Sequence, residues 1–146
     1  GIGMYGFAND VELQQYLTPI MTLKSVISQL HTLQIGESLG YNRGYIADHI
    51  TRTATIPVGH ADGINRIYGK GKGFVFINGK KASIIGNVCM DMILVDVTEI
   101  SCQEGDEVIV FDKTHTAETL AESAGTISYE LITSMAHRIK RIYLED

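Results

Sequence analysis

Short runs of β-branched and apolar residues, each closed by glycine, asparagine or proline, recur along the chain and constrain its fold most. ITRTATIPV at 50–58 is one, ending near Pro57. EVIVF at 107–111 is another, led in by Gly105-Asp106. Phe74–Ile77 and Lys81–Ile85 flank Asn78-Gly79, a pair suited to a two-residue hairpin turn. Residues 139–144 alternate and predict a final strand. Ile20–Leu33 is ambiguous, because its apolar positions fit both a helical stripe and one face of a long strand. Gln34–Ser38, Gly59–Gly63 and GKGKGF predict turns or loops. Only the last third carries helix signals. Thr116 is a candidate N-cap with Gly125 as the stop, and Ser128 is a candidate cap for a second helix over Tyr129–Arg138 whose buried face is Leu131, Ile132 and Met135. The expectation is a mainly β fold of roughly six to eight short strands, a barrel or sandwich, with one or two short helices near the C-terminus. Residues 1–146 read as a single domain.

With 45% hydrophobic and 20% charged residues, the chain can bury a core. Its formal charge of −5 and lack of any basic block argue against a nucleic-acid partner. No apolar run is long enough for a membrane-spanning helix, and GIGMYG lacks the basic and apolar regions of a signal peptide. Without a secretory signal, Cys89 and Cys102 are expected to be free thiols. GIGMYGF carries no initiator Met, so the chain looks cut from something longer, unless those residues are an expression scar.

NVCMDMILVDV, at 87–97, reads mostly as a buried strand, yet it contains Cys89 and Asp91. Asp is a poor strand residue, and a buried, unpaired carboxylate is costly. Cys89 with His60 and Asp62 could form a thiol nucleophile, base and orienter, but no local signature supports that triad. His31, His49, His60, His115 and His137 lack the tight ligand spacing of zinc sites, so no metal is expected. Tyr41-Asn42-Arg43-Gly44-Tyr45 places an arginine beside phenols, where a positive charge can favour phenolate; the alternative is a pair of tyrosines that merely covers a rim. Tyr129 follows Gly125-Thr126-Ile127 at a helix start, near unpaired N–H groups that suit a phosphate. It could equally pack its ring on the core.

The set GIGMYG, ESLGYNRGY, TIPVGHADGINR, GNVCMDMILVDV, TISYELIT and RIKRIY resembles the C-terminal domain of alanine racemase, in that family's order and spacing over nearly the whole chain. The resemblance implies a barrel-like β domain that follows an N-terminal (β/α)8 barrel, with residues 1–8 similar to the end of that barrel. It implies a pyridoxal phosphate cofactor held on a lysine upstream of this chain. It also implies a homodimer in which each active site is completed by the partner subunit's C-terminal domain. Residue by residue, Tyr41 matches the catalytic tyrosine. Cys89, Met90 and Asp91 match a segment that meets substrate across the interface. Tyr129, Gly1 and Ile2 match groups that hold the cofactor phosphate, and His60, Arg66, Asn87 and Ile127 match the substrate entrance. Two departures stand out: His60 replaces a common Tyr, and Asn87 a common Arg. The His variant also resembles racemase domains fused to a cell-wall peptide ligase.

That resemblance implies interconversion of L- and D-alanine for peptidoglycan in the cytoplasm, with Tyr41 serving as the base on one face of the substrate. On this reading the chain alone is inactive. The rival is a β-barrel interaction or dimerisation module without a catalytic role.

Overall fold

β-branched strands need neighbours, and the register shows where they find them. The computed structural model describes residues 1–145. Among these, the strands are β1 (Leu23–Val26), β2 (Gln29–Leu33), β3 (Ser38–Leu39), β4 (Tyr45–Ile46), β5 (Thr51–Ile56), β6 (Phe74–Ile77), β7 (Lys80–Ser83), β8 (Ile93–Asp96) and β9 (Glu107–Phe111). Three short helices accompany them, α1 (Val11–Gln14), α2 (Ala117–Ser123) and α3 (Ser128–Thr133). One sheet runs β1-β9-β6-β7, a second β2-β5-β8, and β3 pairs with β4. Every pairing is antiparallel. An isolated bridge, Ile84 to Val95, links the two larger sheets. The sheets do not close on themselves, so "barrel-like" holds only loosely.

The hairpin at 78–79 forms as expected. Asn78 and Gly79 both have positive φ, 49° and 76°, which a two-residue turn matching strand twist requires. It sets Ile77 opposite Lys80. The ambiguous stretch from Ile20 to Leu33 resolves into two strands belonging to different sheets. Ile27 is the crossing point. Its N–H donates to the Asp106 carbonyl and its own carbonyl accepts from Gly105, while Ser28 N–H donates to Thr55. Leu23, Ile27 and Leu33 are buried and Val26 is not.

Three sequence expectations are corrected. Residues 87–97 are not one strand: only Ile93–Asp96 pairs, and 87–92 form a turn. Residues 139–144 form no strand. Ile139-Lys140-Arg141-Ile142-Tyr143-Leu144 does not in fact alternate, no strand among the described residues pairs with it, and Ile142, Tyr143 and Leu144 are exposed. Finally, Ser128 lies inside α3 rather than capping it: Ile127 is the N-cap, and the helix ends at Thr133 instead of continuing to Arg138. The Ser134 hydroxyl donates to the Leu131 and Gly63 carbonyls, and Ala136 N–H donates to the Asp62 carbonyl, so the chain leaves the helix to dock on the 60–63 turn. The buried face of Leu131, Ile132 and Met135 stands. In α2, the Thr116 hydroxyl caps Thr119 N–H as expected, and Gly125 follows with φ 75°.

One core joins the two larger sheets to α2 and α3. Ala54, Ile56, Val75, Ile77, Val95, Val108 and Phe111 from the sheets join Leu120 and Ala121 of α2 and Leu131 and Ile132 of α3. Phe7 brings the N-terminal segment into it. Buried aliphatic side chains of this kind contribute about 1.5–3 kcal/mol each. Among the described residues, no helix is long and apolar enough to cross a membrane.

Candidate functional site

Three chain-distant segments meet where the 87–92 turn leaves the core. Gly59 has no side chain, and a Cβ there would lie 2.5 Å from Met92 N and 2.7 Å from the carbonyl oxygens of Cys89 and Met90. Only glycine permits so close a backbone approach. His60 N–H donates to the Cys89 carbonyl at 2.9 Å and Ala61 N–H to the Met90 carbonyl at 2.8 Å. Cys89 N–H closes the turn on Met92 O at 3.0 Å. Val88 and Cys89 are buried, whereas Met90, at 58% exposure, and Asp91 point outward.

The buried carboxylate in this region is Asp62. Its Oδ2 accepts from Gly59 N–H at 2.8 Å, and its Oδ1 accepts from Arg138 Nε at 2.7 Å. Arg138 Nη2 also donates to Asp91 Oδ1 at 2.8 Å. Burial alone would push the Asp62 carboxyl up; the Arg138 guanidinium and the Gly59 N–H outweigh it and hold it below the usual carboxylate range. The bonds to Asp62 and Asp91 in turn raise Arg138. Asp91 is therefore neither buried nor unpaired, which removes the difficulty posed by its place in an apolar run. The sequence did not single out Arg138, which sits in RIKRIY and whose ion pairs form only once the chain is folded.

Tyr41 sits in a tight turn held by Asn87. The Asn87 side-chain amide donates to the Tyr41 carbonyl at 3.0 Å and packs against Gly44. Asn42 and Arg43 both take positive φ, 54° and 51°. The ring of Tyr41 is exposed. Among the described residues, Arg43 makes no hydrogen bond to the Tyr41 hydroxyl. Asn87 and Arg66 also line an open cleft of about 300 Å³ with Lys70 and Lys72. Its cationic wall suits a carboxylate arriving from solvent. His60 is exposed at the neighbouring turn.

Gly1, Ile2 and Tyr129, from opposite ends of the sequence, line a second cleft of about 270 Å³ with Ile132 and Thr133. Nothing lies within 4 Å of a Cβ built on Gly1 or Gly3, and Tyr129 is exposed. The bare backbone and phenol there can donate to an anion. Ile127, the N-cap of α3, is exposed as well. The two clefts share no lining residue.

The thiol triad does not assemble. Asp62 is committed to Arg138 and Gly59, and the Cys89 thiol donates to the Asn87 carbonyl. Burial pushes the Cys89 thiol up, away from the thiolate a nucleophile needs. Cys89 and Cys102 are both free. Among the described residues, no three His, Cys, Asp or Glu side chains gather into a cluster able to hold a metal ion.

A family model described as alanine racemase, C-terminal domain, matches residues 20–143. Alanine racemase 1 of Clostridium acetobutylicum is 40% identical over 154 aligned positions, covering 100% of this chain and 40% of that protein. The crystal structure of alanine racemase from D-cycloserine-producing Streptomyces lavendulae superposes with a TM-score of 0.91 at 34% identity, over 100% of this chain and 40% of that one. Alanine racemase from Bartonella henselae, solved with covalently bound pyridoxal phosphate, superposes with a TM-score of 0.88 at 31% identity, over 99% of this chain and 40% of that one. The chain thus spans about 40% of the length of the relatives it matches.

Proposed function

Because the chain belongs to the alanine racemase C-terminal domain family, we propose that it completes a pyridoxal-phosphate-dependent alanine racemase, interconverting L- and D-alanine as a homodimer. The observation that carries this reading is the cleft where Gly1 and Ile2 meet Tyr129. Its donors fit a phosphate: exposed glycine backbone and one exposed phenol. In this reading residues 1–8 continue from a (β/α)8 barrel that carries the cofactor lysine.

When bound, pyridoxal phosphate supplies the electron sink that stabilises negative charge at the substrate α-carbon. Tyr129 and the backbone amides at Gly1 and Ile2 bind the phosphate of their own subunit's cofactor. Tyr41 serves the neighbouring site, taking the α-proton at its phenol oxygen on one face of the substrate or returning it there. A free phenol has a pKa of about 10, so a cation must lie beside that oxygen for it to act as a base near neutrality. Met90 and Asp91 bound the space for substrate with Cys89 behind them. His60, Arg66, Asn87 and Ile127 shape the approach, where Arg66, Lys70 and Lys72 draw in the alanine carboxylate. The exposure of Tyr41, Met90, Ile127 and Tyr129 accords with a site that a second protein surface covers. D-alanine feeds peptidoglycan precursors, which assigns the enzyme to the cytoplasm. The 146-residue chain alone does not racemise alanine.

Mixed dimers test this. One parent variant lacks the barrel lysine; the other carries Tyr41→Phe and Asp91→Ala. Each alone is nearly inactive, since loss of a general base typically lowers rate by about 10²–10⁴. On mixing, one site regains lysine, Tyr41 and Asp91 together, so activity returns. Absence of recovery after demonstrated subunit exchange refutes the shared site.

A further inference from the structure

Met90 and Asp91 stand at the exposed tip of a turn whose base is anchored in the core by Val88 and Cys89. The side chain of Asp91 is 62% exposed, and Met90 is more than half exposed. What fixes the tip is the backbone seam to 59–61 and a single guanidinium. Arg138 Nε reaches Asp62 at 2.7 Å and Nη2 reaches Asp91 at 2.8 Å, so one planar fork spans a buried and an exposed carboxylate. Asp62 is in turn bound to the segment leaving α3, through Ala136 N–H to the Asp62 carbonyl and the Ser134 hydroxyl to the Gly63 carbonyl. Pulling on any one of these segments therefore loads the other two.

We propose that Arg138 is a positioning residue: by clamping Asp62 and Asp91 together it locks the 89–92 turn to the base of α3, so that Met90 and Asp91 hold a fixed register to the helix that carries Tyr129. Its catalytic consequence rests on the function proposed above, in which Tyr129 serves one site and Met90 and Asp91 the neighbouring one. The clamp then makes the element that holds phosphate in one site and the element that bounds substrate in the other a single rigid body. An isolated, exposed ion pair would not do this, because such pairs are weak and mobile. Here the fork is anchored on a buried carboxylate that also accepts a backbone N–H. A lysine ammonium is a point charge and cannot present two fixed donors to two carboxylates.

The test uses the intact dimeric protein that carries this chain, with Arg138→Met, Arg138→Lys, Asp91→Asn and the Arg138→Met/Asp91→Asn pair. Amide hydrogen exchange is read by mass spectrometry on peptides covering 59–63 and 87–92, with the 74–83 hairpin as internal reference. Arg138→Met and Asp91→Asn each speed exchange about tenfold in both target segments and leave the hairpin unchanged. Arg138→Lys behaves like Arg138→Met. The double variant is no worse than Arg138→Met alone, as expected for two partners in one interaction. Asp91→Asn touches only an exposed carboxylate, so it keeps the test alive if Arg138→Met folds poorly. In steady-state kinetics the single variants raise KM for alanine severalfold while the cofactor absorbance band is retained. Unchanged exchange in the 87–92 peptides, full rescue by lysine, or additive effects in the double variant overturn the clamp. If the unmutated protein fails to racemise alanine, the functional reading falls, and the exchange measurements still decide whether the clamp exists.

Discussion

Truncating Asp62 isolates the energetics of the site from its chemistry. The Asp62 side chain is 11% exposed, and its two oxygens hold Gly59 N–H and Arg138. Asp62→Ala strands the N–H of Gly59, a buried residue with the backbone of Cys89, Met90 and Met92 packed against it. A buried donor left without an acceptor costs about 1–3 kcal/mol. Arg138 is half exposed, so solvent offsets part of the bond it loses. The expected loss for Asp62→Ala is therefore about 1–3 kcal/mol. Asp62→Asn keeps an oxygen for Gly59 but loses the charge that strengthens both bonds, and should cost about 1 kcal/mol. The pH dependence has a definite sign. Because the folded carboxyl is held below its usual range, its stabilisation is fully present above the unfolded value of about 3.9 and fades as pH falls through the folded value. The gap between the unmutated protein and Asp62→Asn should accordingly be largest near neutrality and shrink at acid pH. Urea unfolding curves at pH 7 and pH 3 measure it. A loss below about 0.5 kcal/mol for Asp62→Ala, the range of an ordinary surface change, or a gap that widens in acid, refutes the reasoning.

Two further outcomes follow from single side chains. Tyr68 is buried, its hydroxyl has no hydrogen-bond partner among the described residues, and burial with the nearby Glu130 charge pushes its phenol up to about 12; Tyr68→Phe should therefore stabilise by about 1 kcal/mol and raise Tm by about 2–4 °C, and a lowered Tm by calorimetry contradicts this. Cys89 is buried with its thiol pushed up, so iodoacetamide at pH 8 should label it at least about tenfold more slowly in the folded protein than in urea, as followed by mass spectrometry; equal rates would show an open, reactive thiol.

Features that depend on residues close in sequence were legible before folding. Asn78-Gly79 specifies its turn because both positions need positive φ, and the flanking strands follow from it. Thr116 caps α2 through a bond three residues away. β5 and β9 were marked by β-branched composition and turn residues at their ends. The site residues were legible only through resemblance: nothing in the spacing of Gly1, Ile2 and Tyr129 says that they share a cleft.

Tertiary structure decided whatever required a distant partner. The apolar pattern from Ile20 to Leu33 fits helix and strand equally. It becomes two strands because β9 and β5 present free edges to it. The apolar residues at 139–144 yield no strand, and among the described residues none pairs with them. The apolar run at 87–97 divides at Met92, because Gly59 lets another backbone come close enough to take the carbonyls of Cys89 and Met90 out of any sheet. Arg138 lies 76 residues from Asp62 and 47 from Asp91, and its side chain joins them only once α3 has docked. Local conformational preference is written within a few residues and can be read there. A hydrogen bond or ion pair across the fold depends on which surfaces the core brings together, and the core is a property of the whole chain.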